Sequence, residues 1–276
     1  MATLAVPGQG ETAVLLLHGV GGGRAIWGEG AASLPAALAA AGYRAAALDF
    51  PGYGSAPGEP TLDAMVQAAA DAVDALGGRA VLVGHSMGGM VAQELAARHP
   101  ALVQGLVLAC TSARFGQPDG AWQAQFLADR LAPLDAGLGM AGVAARLVPG
   151  LVGPQAGGAA RAHAAAVMGR VPEATYRVAL RAIAGFDRRE ALARIGVPTL
   201  MLAAEHDRTA PPDVMQRMAG RVALAEYLCL AGAGHIANVE APEAFAAAVL
   251  FFLGRHFPVP SLQAGPPCTS LAIQTT

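Results

Sequence analysis

Charge is scarce in this sequence. Asp, Glu, Lys and Arg make up 14% of its 276 residues, the formal net charge is −2 at pH 7, and no basic stripe is present. That excludes nucleic acid as a partner, which needs a basic face. Long apolar runs are also missing. Hydrophobic residues reach 54%, but the excess is mostly alanine, and the longest run, Ala244 to Leu253, is too short to cross a bilayer. The opening residues carry neither a basic n-region nor a long apolar stretch, so no signal peptide is read and a soluble, cytoplasmic protein is expected, with no membrane partner. The three cysteines, Cys110, Cys229 and Cys268, are odd in number and far apart, and the first two lie in strand-like runs, as buried free thiols do. No His/Cys/Asp cluster has metal-ligand spacing, so no metal is expected. The glycine-rich segment His18–Gly23 lacks both the Gly-Lys-Ser/Thr of a phosphate loop and the G-x-G-x-x-G of a dinucleotide fold.

What is present is an alternation. Short runs apolar on both faces (Ala13–Leu17, Ala45–Leu48, Ala80–Val83, Gly105–Ala109, Thr199–Ala203 and Tyr227–Leu230) alternate with alanine-rich helical patterns. Strands buried between helices read this way, and the pattern implies a mostly parallel, doubly wound α/β sheet. Helices are expected from about Leu62 to Leu76, from Ser86 to about His99, and from Pro242 to about Leu253. The alternation breaks between about Ser112 and Ile195. Helical pieces there are punctuated by Pro118, Pro133, Pro149, Pro154 and Pro172. The expected division is a core of residues 1–112 and 196–256, a helical cap of residues 113–195 inserted over the sheet, and a Pro-rich tail of residues 257–276.

The run Ala80–Val83 ends in Gly84-His85-Ser86-Met87-Gly88, and a helical pattern follows at once. This is the nucleophile elbow G-x-S-x-G in its strand–turn–helix setting. Side chains two residues before and after the serine would strike neighbouring backbone. The serine hydroxyl then sits at a helix N-terminus, which favours developing negative charge. Serine is a weak nucleophile and needs a base. His235, in the glycine-flanked loop Gly232–Glu240, follows the last strand-like run and is the candidate. The base needs a carboxylate to fix its tautomer. Asp207, in the loop after Thr199–Ala203, is the candidate, with Glu205 as its nearest rival. The chain order Ser86, Asp207, His235 is the order this elbow requires. Two backbone N–H groups are expected to hold an oxyanion, those of Val20 and Met87. His18 reads as a loop-bonding residue and His85 as a residue pointing away from Ser86. His99, His163 and His256 read as helix or surface residues.

Together with Trp27 and the loop Asp49-Phe50-Pro51-Gly52-Tyr53-Gly54-Ser55, these residues resemble the α/β-hydrolase fold family over about residues 11–255. The resemblance implies that the antiparallel hairpin common at the start of this fold is shortened here. The segments Gly88–Gln93, Ala96–Pro100, Phe186–Leu192 and Gly234–Glu240 look most like those of 3-oxoadipate enol-lactonases and related esterases. This chain departs from them in having His18-Gly19 and in carrying Arg146-Leu147 where they carry Arg-Trp. The resemblance implies a serine hydrolase acting on a small ester or lactone without a cofactor. Serine at the elbow argues against dehalogenase or epoxide hydrolase chemistry, which use aspartate there. A C–C bond hydrolase of ring-cleavage products, a perhydrolase and a non-catalytic ligand-binding protein stay as alternatives. Candidate substrate-contacting residues are Trp27, Met90, Trp122, Phe126, Arg130, Arg146 and Leu147, with Leu127 and Val148 as further apolar lining. A mostly apolar pocket for a small or medium apolar ester is expected.

Overall fold

The computed structural model describes residues 10–116 and 120–259. Cys268, Pro118, most of the expected tail and the chain ahead of Gly10, on which the expectation of a shortened hairpin falls, lie outside the described residues.

Among the described residues six strands form one sheet: β1 (Ala13–Leu17), β2 (Arg44–Leu48), β3 (Ala80–His85), β4 (Val103–Ala109), β5 (Thr199–Ala204) and β6 (Ala225–Leu230). Their order is β2-β1-β3-β4-β5-β6, and every neighbouring pair is parallel. The central strands β1, β3 and β5 are buried along their whole length, which is why their sequences are continuous apolar runs rather than alternating ones. The edge strand β6 departs from the expected two-sided burial. Most of it is only partly covered and Leu228 is exposed, because an edge strand has a sheet neighbour on one side only.

The helices of the first half are α1 (Leu34–Ala40), α2 (Leu62–Ala75) and α3 (Met87–Arg98). Ser33 and Thr61 cap α1 and α2, each accepting from the backbone N–H three residues on. Between β4 and β5 lie α4 (Ala121–Asp135), α5 (Gly139–Leu151), α6 (Gly158–Gly169) and α7 (Glu173–Ala184). Pro133 and Pro149 lie inside α4 and α5 rather than between helices, and each helix ends within the same turn. The segment leaves and rejoins the core through one antiparallel bridge, Arg114 with Asp187. α8 (Pro212–Ala219), α9 (Ala237–Glu240) and α10 (Pro242–His256) are the remaining α-helices among the described residues.

Parallel register sets the strand ends level. Leu17 pairs with Leu48 and with Gly84, and Ala109 pairs with His85 and with Leu202. The loops after β1, β3, β5 and β6 therefore share one edge. The chain steps outward from β1 to β2 and then back across to β3. This reversal opens a crevice at the strand ends, the usual ligand position in such sheets.

One ion cluster ties the returning stem to α3. Glu94 is buried, and its carboxylate takes hydrogen bonds from Arg98, one turn on, and from Arg188. Arg98 also reaches Asp63 of α2 at 2.6 Å. Burial pushes the Glu94 carboxyl up, but the bonds from Arg188 and Arg98 outweigh it and hold it below its ordinary 4.5. A depressed carboxyl stabilises the fold fully above its unfolded value and loses that contribution as pH falls through the folded value. Glu94→Gln is therefore expected to lower the urea unfolding free energy at pH 7 by about 1–2 kcal/mol, the partly exposed arginines limiting the loss. The gap to wild type should shrink below pH 4.5. A gap independent of pH would show that packing, not charge, is at work.

Candidate active site

Ser86 sits between β3 and α3 with φ 52° and ψ −116°, a conformation that side chains rarely adopt. Its surroundings hold it there. Its N–H donates to the Ala109 carbonyl at 2.9 Å, and the Thr111 hydroxyl donates to the Ser86 carbonyl at 2.7 Å. A Cβ on Gly84 would lie 2.5 Å from the Gly88 carbonyl oxygen, and one on Gly88 would lie 2.0 Å from that of Leu17. Glycine is thus forced at both positions by backbone.

The three separated candidates come together. His235 Nε2 lies 3.0 Å from Ser86 Oγ, and His235 Nδ1 lies 2.9 Å from Asp207 Oδ2. The other Asp207 oxygen accepts the backbone N–H groups of Thr209 and Ala210 at 2.7 and 2.9 Å. Burial pushes the Asp207 carboxyl up. The His235 ring and those two N–H groups more than offset this and leave it below its ordinary value, so Asp207 is ionised at neutral pH. The rival Glu205 is exposed and accepts the Gly232 N–H instead.

The His235 loop is fixed by its backbone. The His235 N–H donates to the Leu151 carbonyl at 2.7 Å. The Glu240 carboxylate accepts three N–H groups, from Gly153 at 2.6 Å, Gly234 at 2.9 Å and Ile236 at 3.0 Å. Two of these belong to the His235 loop and one to the end of the α5 segment, so a single side chain joins them. His85 Nε2 contacts the His235 carbonyl at 2.7 Å, and a carbonyl accepts only, so this nitrogen carries the proton. Burial lowers His85 to about 4, and the ring is neutral. As expected, it is turned to the loop rather than toward Ser86 Oγ.

The glycine-rich loop after β1 is pinned from β2. The Phe50 N–H donates to His18 Nε2 at 3.2 Å, which leaves the proton on Nδ1 to meet the Gly19 carbonyl at 2.8 Å. Burial lowers His18 to about 4. The Tyr53 hydroxyl donates to the Val20 carbonyl at 2.9 Å, and Asp49 accepts the Arg24 N–H at 2.6 Å. Val20 and Ser86 line the same cavity. Met87 is the first residue of α3, where N–H groups have no intrahelical acceptor, and its side chain is wholly buried.

A cavity opens above Ser86. Its walls include Val20, Met90, Phe126, Arg130 and Val148 among the expected contacts. Five expectations are corrected. Trp27 is 3% exposed and packs edge-on against His85 and beside Phe245, under the site rather than in it. Trp122 is 41% exposed and stacks on the outer side of Phe126. Arg146 is turned to solvent, and Leu147 packs against the core beside it, because the α5 face toward the cavity carries Val148 and Leu151. Leu127 likewise packs on the core and does not line the cavity. Sequence reasoning missed Thr111, Phe115, Met168, Tyr176 and Ile183, which do line it. Tyr176 and Ile183 are seven residues apart on one stripe of α7, a spacing that was readable.

Residues 14–248 match the family pattern described as the alpha/beta hydrolase family. The chain belongs to the alpha/beta hydrolase family. A putative carbamate hydrolase of Variovorax paradoxus is 35% identical over 90% of this chain and 94% of its own length. A pimeloyl-[acyl-carrier protein] methyl ester esterase of Neisseria meningitidis is 30% identical over 85% of this chain and 74% of its own. The solved enol-lactonase of Burkholderia xenovorans superposes with a TM-score of 0.78 at 27% identity, covering 91% of this chain and 95% of that one. This alpha/beta hydrolase thus has ester-cleaving and lactone-cleaving neighbours. Among its described residues no helix is long and apolar enough to cross a membrane.

In this alpha/beta hydrolase the three bonds to Glu240 are expected to decide the order of the His235 loop. Glu240→Ala leaves three donors without their acceptor, a loss of about 2 kcal/mol or more. Amide hydrogen exchange should quicken at Gly153, Gly234 and Ile236 relative to the β3 amides. Unchanged protection at those three amides would contradict this account.

Proposed function

We propose that the protein is a serine hydrolase that cleaves a carboxylic ester or lactone through an acyl-enzyme on Ser86. The observation that carries this reading is the unbroken chain Ser86 Oγ, His235, Asp207 with contacts of 3.0 and 2.9 Å. His235 Nε2 takes the Ser86 proton as Oγ attacks the carbonyl carbon. The tetrahedral oxyanion is met by the N–H groups of Val20 and Met87. As it collapses, the C–O bond to the alcohol breaks, and the alcohol leaves with the proton held by His235. Water then gives a proton to His235 and attacks the acyl carbon; the bond to Oγ breaks, His235 returns the proton to Oγ, and the acid leaves with Ser86 restored. Asp207, ionised and buried, stabilises the imidazolium that forms in each half and keeps Nδ1 protonated. No cofactor enters this scheme.

In this reading residues 1–112 and 196–256 are the catalytic core, and residues 113–195 are a cap that selects the substrate. The partner is a small-molecule ester or lactone, and the chain is a soluble protein of the cytoplasm. The names of the relatives, an ester esterase and an enol-lactonase among them, support the bond type. Met90, Phe126 and Val148 give the pocket an apolar lining.

The test is hydrolysis of p-nitrophenyl acetate, butyrate and octanoate. Wild type should turn over many times, Ser86→Ala should lose roughly three orders of magnitude or more, and Asp207→Asn roughly three to four. Equal rates for wild type and Ser86→Ala would overturn the reading. So would Asp207→Asn at wild-type rate, for the acid assignment.

A further inference from the structure

Two polar groups in the cavity wall, both hydrogen-bond donors, have no acceptor in the protein beyond one another. Tyr176 of α7 is fully buried and lines the cavity, and its hydroxyl proton meets no acceptor among the described residues, the polar group beside it being the Arg130 guanidinium. A buried hydroxyl without a partner costs free energy and calls for an explanation. Arg130 of α4 lines the same cavity, and no ion pair to it occurs among the described residues. Its guanidinium carbon lies 4.7 Å from the centre of the Phe126 ring, a contact that leaves the cation's charge unneutralised. The carboxylates of α4 and α7 are used elsewhere. Asp129 bonds Gln125, while Asp135 and Glu173 pair with Arg177.

Arg130 and Tyr176 are also neighbours. Burial pushes the Tyr176 phenol up, and the Arg130 guanidinium beside it pulls the other way. The phenol keeps its proton and stands as a donor next to a five-donor cation. The chain has no lysine, so every side-chain cation other than histidine is the planar, forked guanidinium that suits a carboxylate. Two donors with no acceptor, in a cavity that Phe126, Val148, Met168 and Ile183 also line, describe a socket for an anion.

We propose that Arg130 and Tyr176 bind a carboxylate carried by the substrate, so that the preferred substrate is a monoanionic ester or lactone and not the wholly apolar ester its sequence leads one to expect. This rests on the serine hydrolase reading for the bond cleaved, but the socket is tested separately. The apolar walls exclude water, and a charged hydrogen bond there discriminates strongly against a neutral analogue.

The experiment has two arms. In the first, kcat/KM is measured by pH-stat for the monomethyl esters of succinate to suberate and for the neutral methyl esters of matching length, with Ser86→Ala as the blank. Wild type should favour the monoanion at its best length by roughly tenfold or more. Arg130→Gln should remove that preference, and Tyr176→Phe should reduce it mainly through KM. In the second arm, adipate is titrated calorimetrically into Ser86→Ala and into Ser86→Ala/Arg130→Gln, where affinity should fall at least tenfold in the double variant. Turnover of neutral esters with no charge preference and no adipate binding overturns the socket and leaves the serine hydrolase standing. Adipate binding lost with Arg130, without turnover of any ester, does the reverse. A charge preference unchanged in Arg130→Gln also overturns the proposal.

Discussion

The backbone turn at Ser86 is the constraint on which the rest depends. A non-glycine residue at φ 52° carries strain of about 1–3 kcal/mol, which persists only if its neighbours over-determine it. They do. The buried sheet fixes β3, the Gly84 and Gly88 positions have no room for a side chain, and Ala109 and Thr111 hold the Ser86 amide and carbonyl. Cys110, between them, is the other described non-glycine residue with positive φ, so two strained residues face each other across neighbouring strand ends. Burial pushes the Cys110 thiol well up, so it is an inert neighbour rather than a second nucleophile.

Given that turn, the sheet register does the gathering. Parallel strands of matched length deliver the loops after β1, β3, β5 and β6 to one edge, and the side chains at 86, 207 and 235 meet within hydrogen-bond distance. Neutral His18 and His85 act through carbonyls, one inside the loop after β1 and one on the His235 loop. Glu240 extends the same logic outward, since it binds the His235 loop and the end of the α5 segment with one carboxylate. Whatever moves the helices between β4 and β5 is thereby felt at His235.

Much of this was legible in the sequence because it rests on local chemistry. The apolar runs marked all six strands, with errors of a few residues at their ends, and Gly84-x-Ser86-x-Gly88 marked the turn because only glycine fits its flanks. Asp207 could be preferred over Glu205 by its distance from the strand. The helices between β4 and β5 were another matter. Their cavity face depends on how each helix is rotated in tertiary packing, which composition does not encode. Aromatic bulk therefore drew attention to Trp27 and Trp122, which pack under and outside the site. Tyr176, in an ordinary apolar stripe, passed unnoticed. The free hydroxyl that gives Tyr176 its interest is visible only when its neighbours are known to offer no acceptor.

The most direct test of the central claim is to trap the covalent intermediate. Rapid acid quench of the enzyme with excess p-nitrophenyl butyrate, followed by peptide mass analysis, should show one butyryl group on the peptide containing Ser86. The label should be absent in Ser86→Ala and should form far more slowly in His235→Ala. A label on any other residue, or steady turnover with no acylated Ser86 at any time of quench, would contradict the account.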